Sequence, residues 1–251
     1  MRSWPAGIGR EVHDVLDSTN AEALRRAAAG EAGPLWIMAL SQTAARGRRG
    51  RAWASPAGNF GATLLIRPPG DAALRSFVAA LGLFDAMVAL TGRPELFALK
   101  WPNDVLLGGR KLAGILLEAV NGGALAVGVG VNLATAPEPG TLEAGAVPPV
   151  SLSEATGLTI GAEDFLDQLA PAVAAWEDRL ADEGFAPVRS AWLARATRLG
   201  EPIVARLPGR TLEGRFETVD ARGALVLATD AGRVVLPAAD ITFGTADAAR
   251  R

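Results

Sequence analysis

Strand-length apolar runs set between glycine turns constrain this chain more than any other feature. Residues 35–40, 60–66, 97–101, 105–107, 112–120 and 125–133 read as strands, each bounded by turn formers. Gly108-Gly109 and Asn121-Gly122-Gly123 suit tight hairpins, and the first two runs, closed by Pro68-Pro69, read as neighbours. Helical spacing alternates with these runs. Residues 17–30 offer caps at Ser18 and Thr19, a capping-box acid at Glu22 and a terminating glycine. Over 71–90, Leu74, Phe77, Val78, Leu81, Phe84 and Val88 recur on one broad face, and 162–183 and 187–197 carry similar patterns. The expectation is an α+β fold, a mixed β-sheet with helices packed on one face.

Beyond Leu199 the pattern changes. Four short pieces, 202–207, 211–219, 224–228 and 233–236, are punctuated by Pro-Gly, Arg-Gly and Ala-Gly turns and describe a small β-barrel. The chain therefore divides into a larger domain over 1–198, with a surface loop at 134–150, and a small domain over 199–251. Composition removes whole classes of function. Among 251 residues there is no cysteine and one histidine, His13, which excludes thiol centres, zinc ribbons and histidine metal clusters. Any metal must sit on oxygen ligands. A net charge of -2 weighs against a nucleic-acid partner. The unbroken apolar runs fall short of the roughly 20 residues that span a bilayer, and Met-Arg-Ser-Trp-Pro at the start has no apolar signal core. A cytoplasmic protein without a membrane partner is expected.

Between Ala32 and Gly70 stand Arg46, Arg48, Arg49, Arg51 and Arg67, with not one acidic residue. Such uncompensated charge repels itself and is best tolerated where an anion arrives, while Gly47 and Gly50 allow close backbone approach. A solvated basic loop is the alternative that the run alone leaves open. Trp53 either stacks on a planar ligand or anchors the loop to the core, the commoner role. Asn59-Phe60-Gly61 re-enters the sheet, so the loop is held at both ends and can act as a lid. Of 25 basic residues only Lys100 and Lys111 are lysine, and both flank Trp101-Pro102-Asn103-Asp104, where a compact ammonium is favoured over a planar fork. Lys111 carries charge into an apolar strand and calls for a buried anionic partner. Asp104 could coordinate magnesium, position an amine or form an Asx-type turn. Gly128 and Gly130 inside a strand point to something close to its backbone. These residues alone support an enzyme or binding protein for a small anionic ligand, with reaction type open.

At these residues the chain resembles the biotin protein ligases, the biotin-[acetyl-CoA-carboxylase] ligase family. The resemblance rests on Ser18-Thr19-Asn20, on Gln42 followed by the run from Arg46 to Arg51 and Trp53, on Lys100-Trp101-Pro102-Asn103-Asp104, on Lys111 with Gly114-Ile115-Leu116, and on Gly128, Gly130 and Asn132. Ala45 departs from the glycine usual there. The resemblance implies a class II synthetase-like catalytic domain, an SH3-like barrel after it, and a two-step reaction. Biotin and ATP give biotinyl-5'-AMP and pyrophosphate, and a lysine of a biotin carboxyl carrier protein then takes the biotinyl group. On this resemblance Ser18, Thr19, Gln42 and Gly114 hold the ureido head, and Asn20, Asn103, Asn132, Arg46, Arg51 and Trp53 complete the biotin and ATP site. Gly47 and Arg48 close over the acyl-adenylate. Lys111, with Arg46 and Arg48, stabilises growing phosphate charge, while Lys100 and either Asp104 or Asn103 serve the transfer step. Magnesium bridges ATP phosphates through substrate and water oxygens, with no protein metal ligand. Some family members carry a DNA-binding winged helix; the 17 residues before Ser18 are too few for one, so no nucleic-acid role is expected. A homodimer through a sheet edge is compatible with the family. Lipoyl and octanoyl transferases of related fold, and a non-catalytic nucleic-acid binder using the arginine loop, are the competing readings. The loop and the Lys-Trp-Pro-Asn-Asp run favour biotin.

Overall fold

The computed structural model describes residues 3–31, 33–120, 122–138, 146–237 and 239–242. Asn121 of the expected hairpin and residues 139–145 of the expected surface loop lie outside them. Seven strands build one sheet: β1 (Gly9–Leu16), β2 (Leu35–Gln42), β3 (Phe60–Ile66), β4 (Phe97–Lys100), β5 (Asp104–Leu107), β6 (Arg110–Val120) and β7 (Ala124–Val131). Their order is β1-β2-β3-β7-β6-β5-β4, and only the β1–β2 pair is parallel. The sequence reading missed β1. It is an edge strand with exposed Val12 and Val15, so it lacks the continuous apolar run that marks its neighbours.

Helices α1 (Thr19–Ala28), α2 (Arg75–Thr91), α3 (Leu152–Thr156), α4 (Ala162–Glu183) and α5 (Phe185–Leu193) complete this part, the short α3 being unexpected. Strand side chains alternate between faces. Trp36, Met38, Ala62, Leu64, Ile115, Val127 and Val129 share a core with α2 and α4. The opposite face takes α1, whose Ala23 and Ala27 pack on Leu35, Ile37, Leu65 and Ala126. Helices thus lie on both faces rather than one, because the small alanine stripe of α1 lets it pack closely on the second face. A Cβ at Gly82 would lie 2.6 Å from Val173 Cγ2, so glycine permits the close crossing of α2 and α4. Residues 72–91 are apolar and long enough to cross a membrane by composition, yet 67% of that window is buried inside the protein as its core helix.

Ser18 caps α1, its Oγ accepting from the Ala21 amide at 3.4 Å. The expected capping box does not form. The Thr19 amide, which Glu22 would take in such a box, donates instead to Gln42 Oε1 at 2.8 Å, leaving Glu22 to pair with Arg25 and Arg26.

A second, fully antiparallel sheet comprises β8 (Pro202–Leu207), β9 (Arg210–Val219), β10 (Leu225–Thr229), β11 (Gly232–Leu236) and β12 (Asp240–Thr242), ordered β11-β10-β9-β8-β12. It is docked firmly. Trp101 Nε1 donates to the Gly223 carbonyl at 3.0 Å, Arg189 donates to the Val219 carbonyl, and one apolar cluster runs through both sheets. The strand β12 has no counterpart in the sequence reading, its three residues being too few to show a pattern.

Candidate functional site

Strand register lines up Gly61, Gly130, Gly114, Asp104 and Lys100 as successive cross-strand partners over β3, β7, β6, β5 and β4. They share the α1 face, beside Gly128, which pairs with Thr63. Where other rows carry side chains, three of these five positions carry none, leaving a shallow trough that ends in charge. Neighbouring side chains enter it. A Cβ on Gly128 would run into the Asn20 amide, one on Gly61 into Gln42, and one on Gly130 would lie 2.6 Å from the Trp53 indole. Trp53 also lies over Gly114, at 3.2 Å from its would-be Cβ, so this aromatic belongs to the site as well as anchoring the loop.

One end of the row is a polar network at the start of α1. Gln42 Oε1 accepts from the Thr19 amide at 2.8 Å, and its Nε2 donates to Ser55 Oγ at 3.3 Å. Asn20 Nδ2 donates to Glu118 Oε2 at 2.7 Å, which fixes its amide so that Oδ1 accepts from Thr63 Oγ1 at 2.6 Å. Thr63 thereby spends its one proton, and Thr19 Oγ1, 2.9 Å away, is left to donate back to it or to Gln42. Neither Thr63 nor Glu118 carries an expected binding role from the sequence, although Glu118 follows Lys111 and Gly114 in the same group of candidate residues. Their signal was present, as single polar side chains within otherwise apolar strands that only a partner could satisfy.

The other end is cationic. Lys111 Nζ lies 2.7 Å from Asp104 Oδ1, and Lys100 Nζ 3.5 Å from Asp104 Oδ2. The buried anionic partner that Lys111 required is therefore Asp104. The geometry depends on a bulge: β5 and β6 pair Leu106 with Lys111 but Val105 with Ala113, so Leu112 is extra and Lys111 turns onto the trough face. Burial opposes the Asp104 carboxylate, yet the two ammonium groups hold its pKa below the usual carboxylate range. Burial pushes the Lys100 ammonium down, with Asp104 pulling the other way. With both oxygens facing ammonium groups, Asp104 is not disposed as a magnesium ligand. Among the described residues no group of three or more His, Cys, Asp or Glu side chains gathers to hold a metal.

The arginine segment arches over this floor. Arg46 bridges to Ala52, the Gly47 amide donates to the Arg51 carbonyl at 2.7 Å, and the Trp53 amide donates to the Ala45 carbonyl at 3.0 Å. Ala45 is buried, which fits a residue with a side chain at the loop's entry. Arg46 Nη2 reaches Glu118 Oε1 at 3.8 Å. Arg48 Nη1 donates to Asn103 Oδ1 at 3.4 Å, and burial pushes its pKa down against the pull of Asp240 and Asp104. The segment is not uncompensated as the sequence suggested, because Asp240 on β12 pairs with Arg48, Arg49 and Arg51. Asn132 adjoins the Lys111 end of the site, its backbone amide donating to the Leu112 carbonyl at 3.0 Å. It is buried and donates to the Val150 carbonyl at 3.2 Å, fastening the segment ahead of α3. Ser18 and Asn103 likewise have structural bonds, Ser18 as cap and Asn103 through Nδ2 to the Ile115 carbonyl at 2.7 Å.

Known proteins carry the same organisation. Residues 12–133 match the biotin/lipoate A/B protein ligase family, and residues 199–244 match the biotin protein ligase C terminal domain. The chain is 55% identical over 235 residues to the biotin--[acetyl-CoA-carboxylase] ligase of Paracoccus denitrificans, an alignment covering 91% of this chain and 98% of the relative. It is 33% identical over 247 residues to the ligase of that name from Mycobacterium tuberculosis, covering 94% and 90%. The structure of biotin protein ligase from Aquifex aeolicus in complex with biotin and ATP shares the fold, with a TM-score of 0.81 at 23% identity over 93% of this chain and 97% of that one. On the two domain matches and the extent of identity to full-length relatives, the chain belongs to the biotin protein ligase family.

Proposed function

We infer that this biotin protein ligase activates biotin with ATP to biotinyl-5'-AMP and transfers the biotinyl group to a lysine of a biotin carboxyl carrier protein. The observation that carries the reading is the cross-strand row itself, polar at the α1 end, glycine-floored in the middle and cationic at Lys111. Biotin has the same order of parts: a ureido head that needs hydrogen bonds, a thin apolar chain and a carboxylate. Thr19, Gln42 and Gly114 line the head and chain, with Ser18 and Asn20 held behind them. Thr63 and Glu118 fix Asn20 from below.

In the first step a biotin carboxylate oxygen attacks the α-phosphorus and the bond to pyrophosphate breaks. Two anions converge while charge grows on the phosphate oxygens, so fixed cations supply the main term. Lys111, Arg46, Arg48 and Arg51 fill that role. Further neutralisation of the ATP phosphates would come from Mg2+ accompanying the nucleotide, for which no protein ligand would be needed. In the second step the acceptor amine attacks the acyl carbon and AMP leaves. Lys100 stabilises the departing charge, while Asn103 and Asp104 orient the amine. The match at residues 199–244 and the 55% relative favour biotin over a lipoyl substrate.

Mixing the protein with biotin, ATP and magnesium and finding the adenylate by mass tests the reading; no adenylate overturns it. Trp53 rests on the glycine row, so the loop must lift to admit the biotin chain and close again over it. Arg48→Ala is expected to make biotinyl-5'-AMP but to release it, with free adenylate accumulating in solution. Retention as tight as in the parent would give the lid role to another residue. Gly130→Ala is expected to raise KM for biotin roughly tenfold or more, since the methyl displaces the indole and narrows the row. An unchanged KM would show that the chain of biotin runs elsewhere.

A further inference from the structure

The charge on the arginine segment is answered from the second sheet. Arg49 Nη1 and Arg51 Nη2 both donate to Asp240 Oδ2, the latter at 2.7 Å, and Arg48 Nη1 lies 3.7 Å from Asp240 Oδ1. Arg49 adopts a left-handed backbone, φ 58°, which a residue with a Cβ enters only when its surroundings hold it there. The anchor is itself fixed, because β12 pairs with β8, placing Asp240 opposite Arg206. One carboxylate has four acceptor sites for three guanidinium forks, whereas a di- or triphosphate brings several charges and many more oxygens.

We propose that Asp240 is a positioning residue of the nucleotide site, the built-in anion that the polyphosphate of ATP must displace from Arg48, Arg49 and Arg51. This rests on the adenylating function inferred above. The loop keeps its own order through the Arg46–Ala52 bridge and the Gly47, Arg51 and Trp53 backbone bonds, none of which uses Asp240. Removing the carboxylate therefore removes a competitor more than it loosens the segment.

Inorganic pyrophosphate, titrated by calorimetry into native protein and Asp240→Asn, tests this without turnover. The variant is expected to bind about three- to tenfold tighter, the range set by modest, partly exposed ion pairs. KM for ATP is expected to fall by a similar factor while kcat moves less, and Asp240→Glu, which restores the charge, is expected to restore native values. Asp240 is partly exposed on a short edge strand, so the isosteric amide keeps the fold, and Asp240→Ser with melting curves supplies a second neutral variant. Binding that is equal or weaker in both neutral variants overturns the proposal. Failure of the native protein to form biotinyl-5'-AMP would instead strike the function, and the pyrophosphate comparison would still be readable.

Discussion

Lys111→Ala is expected to slow formation of biotinyl-5'-AMP by at least about a hundredfold, the consequence of losing roughly 3 kcal/mol of transition-state stabilisation. The choice of Lys111 over Lys100 follows from geometry. Lys111 Nζ stands at the end of the glycine row, its side chain 30% exposed, while the Lys100 side chain is 9% exposed and sits on β4, two strands beyond the last glycine of the row. The bulge at Leu112 holds Lys111 on that face, and the Pro148 and Val150 backbone clamps its strand from outside through bonds of 2.7 and 3.0 Å. Binding of biotin measured by calorimetry should fall far less than the rate, because the head contacts at Thr19 and Gln42 are untouched. Pyrophosphate release at a near-native rate would remove Lys111 from the first step.

How much of this was legible in the sequence depended on whether a feature is local. Periodicity located β2 to β7, α2, α4 and most of the second sheet, since buried strands and long amphipathic helices write their environment into consecutive residues. The edge strand β1, the single turn α3 and the three-residue β12 write almost nothing. The site divides in the same way. Lys111 in an apolar strand announced a missing anion, and Gly128 and Gly130 announced a close neighbour, but only register showed that the anion is Asp104 and the neighbours are Asn20 and Trp53. That Gly61, Gly130 and Gly114 form one row is a property of two strand pairings, invisible along the chain. Asp240 carried no signal at all. Its role comes from docking β12 beside a loop far away in sequence, which also overturned the inference that the arginines lack counter-charge.

Asp104→Ala is expected to destabilise the fold by about 3–5 kcal/mol, because it withdraws the carboxylate that two ammonium groups face, one of them buried. A second route limits the loss. Lys100 can shed its proton, and from an ordinary pKa near 10.4 that costs roughly 4–5 kcal/mol at pH 7, so charge burial and neutralisation are comparable and neither allows a small effect. The pH dependence separates this from simple loss of packing. In the parent, the folded pKa of Asp104 is depressed, so its contribution is present above the usual carboxylate range and is lost only as pH falls through the lower folded value. In the variant, Lys100 has a folded pKa driven further below its unfolded one. The unfolded chain then binds more protons across that window, and stability rises with pH. Urea unfolding of both proteins at pH 7 and about pH 9.5 should therefore show the deficit shrinking at the higher pH. A deficit below about 1 kcal/mol, or one that does not change with pH, would mean that Lys100 keeps its charge without Asp104 and that the pair is not what holds Lys111 at the end of the row.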